Sequence, residues 1–139
     1  MQDWADDLGA YLTGIWAELG DFTRERDGYP GLAVLATHGD DAPEMRHIVI
    51  RKADRAVSQL MLHTDAATPK VRQIEANPAV SLMVWNSTQQ LQLRVKGRAE
   101  VLGSYAADKV WADLPFASKG NYGVSPDPGS VIDHALGYE

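Results

Sequence analysis

The chain has 139 residues, of which 45% are hydrophobic and 23% charged, and it carries a formal net charge of -6. This length fits a single domain over residues 1–139, and the acidic balance argues against nucleic acid or an anionic membrane as a partner. Cysteine is absent, which excludes disulfides, thiolate chemistry and cysteine-rich metal sites and is compatible with the reducing cytoplasm.

The first predicted element is an amphipathic helix over residues 3–19, within an N-terminal segment 1–20. Asp3 is a suitable N-cap, and Gly20 is expected to end the helix. Apolar side chains recur on one stripe at Trp4, Leu8, Leu12, Ile15, Trp16 and Leu19. Acidic residues interrupt the start of the chain, so no secretory signal is expected, and no apolar run is long enough to span a membrane. We therefore expect a cytoplasmic protein.

Two strands are predicted next. Residues 32–37 are typical of a buried strand, and a hairpin loop leads to a second strand over residues 44–51. In this second strand Arg46 falls on the same face as Ile48 and Ile50, because side chains alternate along a strand. A guanidinium on an apolar face is costly without a partner. Arg46 either reaches solvent past the strand end or meets an anion, and the spacing alone leaves both possibilities open.

The central feature of the sequence is a predicted strand over residues 57–64 that is followed by a short helix. Thr68 has the position of an N-cap and Pro69 that of the first helical residue, and an Asn-Pro pair ends the helix. Lys70 and Arg72 place two cations beside the positive end of the helix dipole, where a cation is mildly unfavourable without an anion. This arrangement predicts a phosphate site at the helix N-terminus. On this segment alone, the alternative that both cations are solvated surface residues remains open.

The remaining segments complete a mainly β pattern. Residues 79–85 form an apolar strand that is expected to be buried on both faces, and residues 89–102 form a long strand with a solvated row of cations. A helix is predicted over residues 104–114, and the C-terminal segment 115–139 is rich in loop-forming residues. The order of helix, three strands, helix, two strands and helix predicts a mainly β fold with flanking helices. Antiparallel strands in hairpin succession favour a small closed barrel.

Two classes of catalytic site are not supported by the sequence. The four histidines are scattered, and no pair has metal-ligand spacing on one element, so no metal site is expected. A Gly-x-Ser-x-Gly motif is absent, which argues against a serine hydrolase built on that motif. No catalytic residue is assigned.

Five blocks of the sequence, taken in their order and spacing, carry a resemblance to a known family. They are Arg46–Arg51, His63–Asp65, Thr68–Lys70, Gln73–Pro78 and Gln92–Glu100. The chain resembles the pyridoxamine 5′-phosphate oxidase-like FMN-binding split barrels, from its first helix to residue 102. This resemblance implies an antiparallel split β-barrel that binds FMN between the two subunits of a homodimer.

The resemblance also implies a set of cofactor-binding residues. Arg46 and Lys70 would contact the FMN phosphate, which agrees with the anion that the strand and helix patterns predict at the same residues. The strand that contains Ile48 would lie along the isoalloxazine, and Gln92 would hydrogen-bond the ring from the second subunit. The full set is Arg46, His47, Ile48, Val49, Arg51, His63, Thr64, Thr68, Lys70 and Gln92.

The chain departs from the family pattern at several positions. Pro69 stands where the oxidases usually carry a second phosphate-binding Arg, and Arg51 replaces a Lys. Val110 and Leu114 occupy the positions of a Tyr and an Arg that hold the substrate phosphate, and only Ser118 is retained. The resemblance thus implies an FMN-dependent oxidoreductase that lacks the vitamin B6 phosphate pocket and acts on an unknown small molecule. The alternatives are a non-catalytic protein that holds flavin, haem or a deazaflavin, and a split barrel without a cofactor that serves as an interaction module.

Overall fold

The structure is a computed structural model that describes residues 7–25, 30–120, 122, 125–128 and 130–132. Within these residues the elements are α1 (Leu8–Phe22), β1 (Leu32–His38), β2 (Pro43–Asp54), β3 (Gln59–Leu62), α2 (Pro69–Ala76), β4 (Ala79–Asn86), β5 (Leu91–Arg98), α3 (Ser104–Asp113) and α4 (Phe116–Lys119). The predicted order of helices and strands is confirmed. The short helix α4 is an addition, since it lies in the segment that was expected to be loop.

The strands form one five-stranded sheet in the order β3-β2-β1-β4-β5. β1 pairs antiparallel with β4, so that Val34 lies opposite Met83 and Leu35 opposite Leu82. β2 pairs antiparallel with β3. A single sheet with flanking helices confirms the mainly β fold class. In the described part of the chain β3 and β5 are the sheet edges, so these five strands do not form the closed ring that the strand succession favoured.

The chain divides into two compact units, which are described separately. The sheet unit comprises the described residues of Met1–Ala36, Met45–His63 and Ser81–Lys96. The helix unit comprises the described residues of Thr37–Glu44, Thr64–Val80 and Gly97–Glu139. The sheet unit contains a core of buried apolar side chains, namely Leu19, Ala33, Leu35, Ile48, Ile50, Leu82, Val84 and Leu93.

Helix α1 begins and ends at different residues from those predicted. Its N-cap is Asp7, whose carboxylate accepts a hydrogen bond from a first-turn N–H at 2.7 Å. The predicted start, residues 3–6, lies outside the described residues. Gly20 does not end the helix, which continues to Phe22. The backbone N–H and the hydroxyl of Thr23 both donate to the Gly20 carbonyl, and this contact closes the last turn instead.

A polar contact joins α1 to the turn between β4 and β5 within the sheet unit. The Glu18 carboxylate is 7% exposed and accepts hydrogen bonds from the side-chain amides of Asn86 and Gln89. Asn86 also closes the turn, because its side-chain oxygen accepts from the N–H groups of Thr88 and Gln89 at 3.0 and 3.1 Å. A buried carboxylate is costly unless it is hydrogen-bonded, so this contact fixes the helix against the sheet.

Strand β4 is buried on one face instead of two. Leu82, Val84 and Asn86 are buried, whereas Met83 and Trp85 are 36% and 51% exposed. The prediction of a strand buried on both faces is therefore wrong. An antiparallel sheet can leave one face uncovered, and the apolar residues on the second face of β4 belong to such a surface.

The described helices of the helix unit bury little apolar surface. α2 buries Val71, and α3, which follows the N-cap Gly103, has no buried side chain. Pro115 precedes α4 as its N-cap. Among the helices of the described residues, none has both the length and the apolar character needed to cross a bilayer.

Candidate functional site

The N-terminus of α2 is built by a tight turn in the helix unit. Thr68 is the N-cap and Pro69 the first helical residue, as the sequence predicts. The Thr68 hydroxyl does not cap the helix, however, because it donates to the carbonyl of Asp65 at 2.7 Å. The Asp65 carboxylate accepts from the N–H of Ala67 at 2.8 Å, which completes the turn. The Thr68 side chain therefore accepts no hydrogen bond from the backbone N–H groups of the first helical turn, and these groups can donate to another acceptor.

An ammonium and two hydroxyls meet at this helix end. The Lys70 Nζ donates to the Thr64 Oγ1 at 2.8 Å, and this oxygen lies 3.3 Å from the Thr68 Oγ1. Thr68 is 7% exposed, Lys70 is half-buried and Thr64 is exposed. We call Thr64, Thr68 and Lys70 the α2 cradle. Because a cation at a helix N-terminus is favourable only beside an anion, the α2 cradle has the chemistry of a phosphate site.

Arg46 lies at the start of the buried face of β2 in the sheet unit. Ile48 and Ile50 on this face are 9% and 0% exposed, and Arg46 itself is half-buried. Its guanidinium donates to the backbone carbonyl of Leu35 at 3.4 Å, which is a long hydrogen bond. On the opposite face of β2, His47 is exposed and Val49 is half-buried. Val49 belongs to the stretch Ile48–Arg51, which the resemblance places along a flavin ring.

Arg51 occupies an irregularity in the pairing of β2 with β3. Ile50 lies opposite Leu62 and Lys52 lies opposite Met61, so Arg51 is the extra residue of a β-bulge. Bulges redirect side chains and are frequent beside functional sites. Arg51, a half-buried residue, therefore departs from the regular alternation of side chains along the strand at this point.

His63 follows β3 and has an unusual environment. Both of its ring nitrogens are buried, and neither has a hydrogen-bond partner within the described chain. Burial lowers the pKa of His63 below its ordinary value of 6.5, and the positive charge of Arg51 lowers it further. The imidazole is therefore neutral at pH 7 and offers one donor and one acceptor. An unpaired buried polar group is costly, so a bound molecule with polar groups would stabilise this position.

The last predicted site residue, Gln92, is exposed on β5, where it alternates with the buried or half-buried Leu91 and Leu93. The predicted residues thus fall into both units. The helix unit brings together Thr64, Thr68 and Lys70. The sheet unit contains Arg46, His47, Ile48, Val49, Arg51, His63 and Gln92.

Thr37, near the end of β1, and Gln73, within α2, were not assigned a role from the sequence. The hydroxyl of Thr37 donates to the Gln73 Oε1 at 2.6 Å, and Thr37 is 2% exposed. The signal for Thr37 was available, because a threonine on the buried face of a strand requires a hydrogen-bond partner. The identity of that partner depends on tertiary structure, which spacing along the chain does not reveal.

Comparison with known proteins extends these observations. A pyridoxine/pyridoxamine 5′-phosphate oxidase of Burkholderia lata is 29% identical over 91 residues, which make up 65% of this chain and 42% of that protein. The aligned part therefore spans less than half the length of this relative.

Solved structures share the fold of the chain. A pyridoxamine 5′-phosphate oxidase-related, FMN-binding protein of Nostoc punctiforme has a TM-score of 0.67 at 22% identity, with 95% of this chain and 69% of that chain covered. PhzG of Burkholderia lata, in complex with tetrahydrophenazine-1-carboxylic acid, has a TM-score of 0.63 at 22% identity and coverages of 83% and 57%. An FAD-binding protein of Mesorhizobium loti has a TM-score of 0.52 at 20% identity and coverages of 76% and 72%. This likeness confirms the split-barrel class of fold.

The family itself is shown by the sequence. The profile of pyridoxamine 5′-phosphate oxidase matches residues 19–128, from the end of α1 through the whole sheet and beyond α4. This region is most of the chain. The chain therefore belongs to the pyridoxamine 5′-phosphate oxidase family.

Proposed function

We propose that the chain is an FMN-binding flavoprotein and that FMN serves it as the cofactor of an oxidoreductase. The observation that carries the proposal is the α2 cradle, in which the ammonium of Lys70 and the hydroxyls of Thr64 and Thr68 meet at a helix N-terminus. A phosphate monoester there would accept hydrogen bonds from the Lys70 ammonium and the Thr64 hydroxyl, and it would compensate both the ammonium and the helix dipole. FMN and FAD binding by solved relatives of the same fold supports a flavin.

The residues present fit FMN in type. In the proposal, Arg46 and the α2 cradle hold the phosphate, and the strand from Ile48 to Arg51 lies along the isoalloxazine. His47 is a further residue of the proposed cofactor-binding set. His63 fits because its two buried ring nitrogens have no partner within the described chain and would gain one from a polar ligand. Arg51 and Gln92 complete the proposed set of cofactor-binding residues, Gln92 from a second subunit.

When bound, FMN supplies the hydride chemistry, and the chain supplies binding, orientation and exclusion of water. We assign no catalytic residue. A vitamin B6 phosphate is not the proposed substrate, because Val110 and Leu114 are half-buried aliphatic side chains without a charge for a phosphate. This same feature favours the second candidate, a protein that holds FMN or another cofactor, such as haem or a deazaflavin, without turnover.

A homodimer with FMN at its interface is also part of the proposal. One face of the sheet carries exposed apolar side chains. Met83 lies opposite Val34 on this face. Because side chains alternate along a strand, Leu32 and Trp85 lie on the same face, and they are 53% and 51% exposed. Apolar patches of this kind commonly mark interaction surfaces. The absence of cysteine agrees with the cytoplasmic location that we propose for the dimer. A monomeric mass for the FMN-loaded protein in sedimentation equilibrium would contradict this part.

The test is a comparison of FMN with riboflavin, which carries the same ring without the phosphate. We expect the purified protein to absorb in the flavin bands or to take up added FMN, and to bind FMN at least tenfold more tightly than riboflavin by fluorescence titration, since every 1.4 kcal/mol is about tenfold. Equal affinities would refute the phosphate site. Bleaching of the bound flavin by NADH or NADPH and its recovery in air would distinguish the oxidoreductase from the non-catalytic holder.

A further inference from the structure

The contact between Thr37 and Gln73 joins the end of β1 to α2 within the helix unit. Thr37 is the sixth residue of β1 and is 2% exposed. Its hydroxyl donates to the Gln73 Oε1 at 2.6 Å, in a partly buried environment. The distance lies at the short end of the normal range for a hydrogen bond, and a hydrogen bond that is partly shielded from water is stronger than an exposed one.

Helix α2 needs such a contact to hold its orientation. It has 8 residues, which is too few for a helix to be stable by itself in water. Val71 is its one buried side chain, Ile74 is half-buried, and Arg72 and Glu75 are exposed. A single buried residue resists rotation of the helix about its axis poorly, because the packing is not directional. The directional hydrogen bond from Thr37 supplies what the packing lacks.

Gln73 is also well placed to influence the α2 cradle. It follows Lys70 by three residues, and side chains at this spacing are neighbours on one side of a helix. The Lys70 Nζ reaches the Thr64 Oγ1 at 2.8 Å, and such a contact is lost if the helix turns or slides by about an ångström.

We propose that Thr37 and Gln73 are positioning residues whose hydrogen bond sets the orientation of α2 and so places Lys70 for a phosphate monoester. The inference rests on the proposed function and deepens it, because it makes the preference for the phosphorylated flavin depend on two residues that do not touch the ligand. Loss of the contact affects the phosphate end of the ligand and leaves the affinity for the unphosphorylated ring unchanged.

The experiment measures the affinities of FMN and riboflavin for the full chain and for Thr37→Val, which keeps the side-chain shape and removes the donor. We expect the dissociation constant of FMN to rise about 5- to 10-fold and that of riboflavin to change less than about twofold. Thr37→Ser restores the hydroxyl and should restore the FMN preference. Gln73→Met, which removes the acceptor, should act like Thr37→Val, and the double variant should lose no more than either single variant.

Thr23→Val is the matched control, because its partly buried hydroxyl donates to the Gly20 carbonyl at 2.7 Å within the sheet unit. It should lower the unfolding midpoint in urea as Thr37→Val does, without changing the ratio of the affinities for FMN and riboflavin. If Thr37→Val does not fold, the ratio of the affinities of Gln73→Met for FMN and riboflavin tests the positioning role instead. A wild-type preference for FMN that survives in folded Thr37→Val or Gln73→Met overturns the positioning role and leaves the proposed function standing. A wild-type chain with equal affinities for the two flavins overturns both.

Discussion

Replacing Lys70 by Ala should weaken FMN binding and leave riboflavin binding unchanged. The Lys70 Nζ donates to the Thr64 Oγ1 at 2.8 Å, and in the proposal it also donates to an oxygen of the FMN phosphate. A hydrogen bond to a charged group contributes roughly 1.5–3 kcal/mol, and the half-buried state of Lys70 favours the lower part of this range. A loss of about 1.5–2 kcal/mol corresponds to an increase of roughly 10- to 30-fold in the dissociation constant of FMN.

The matched control for this prediction is Arg72→Ala. Arg72 carries the same charge on the same helix, two residues further on, but it is exposed. Screening leaves such a side chain a contribution of roughly 0–1 kcal/mol, so the FMN affinity should fall less than about fivefold. Fluorescence titration of both variants with both flavins measures four dissociation constants at each of two salt concentrations. Equal losses in the two variants, or a loss for riboflavin as large as that for FMN, would show that the α2 cradle does not hold the phosphate.

Three further predictions concern stability, and urea unfolding measures each of them. Asn86→Ala should lower the free energy of unfolding by about 2 kcal/mol, because it removes a donor from the buried Glu18 carboxylate. Ser87 lies in the same turn and is exposed, so Ser87→Ala is the control, and a loss of equal size in that variant would refute this reasoning. The folded-state pKa of His63 lies below the ordinary value of 6.5, so the imidazole binds a proton more tightly in the unfolded chain than in the folded one. The stability that depends on neutral His63 is therefore present above pH 6.5, and it is lost as the pH falls through the lowered pKa. His63→Leu should therefore flatten the acid side of the stability profile, and an unchanged slope would contradict the assignment. Ser58→Gly should raise the free energy of unfolding by roughly 0.5–1 kcal/mol, because Ser58 has a φ of 52°; no gain would mean that its side chain offsets the strain.

Local chemistry predicted the parts of the structure that depend on neighbouring residues. A threonine followed by a proline identified the start of α2, and the alternation along β2 identified the face that Arg46 shares with Ile48 and Ile50. The strand ends were less accurate. β3 begins two residues later than predicted because Ser58 belongs to a turn with left-handed backbone, and β5 begins after Gln90 for the same reason.

Features that depend on tertiary contacts were not accessible from spacing. The run of apolar residues in β4 looks the same whether one face or both are covered, so the exposure of Trp85 could not be read from it. Likewise, the position of His63 after a strand says nothing about whether its ring nitrogens are buried without partners. The pairing of Thr37 with Gln73 joins residues 36 positions apart, and neither residue is unusual in its own segment.

The contact of Glu18 with the β4–β5 turn bears on where the chain can be truncated within α1. Similarity to the family begins at residue 19, immediately after Glu18 and close to the end of α1. A truncated chain starting there would keep the amides of Asn86 and Gln89 but lose the carboxylate to which they donate. A chain cut at the boundary of the family match would thus lose most of α1 together with Glu18, the side chain that holds the β4–β5 turn, and aggregation of such a shortened protein would reflect this loss.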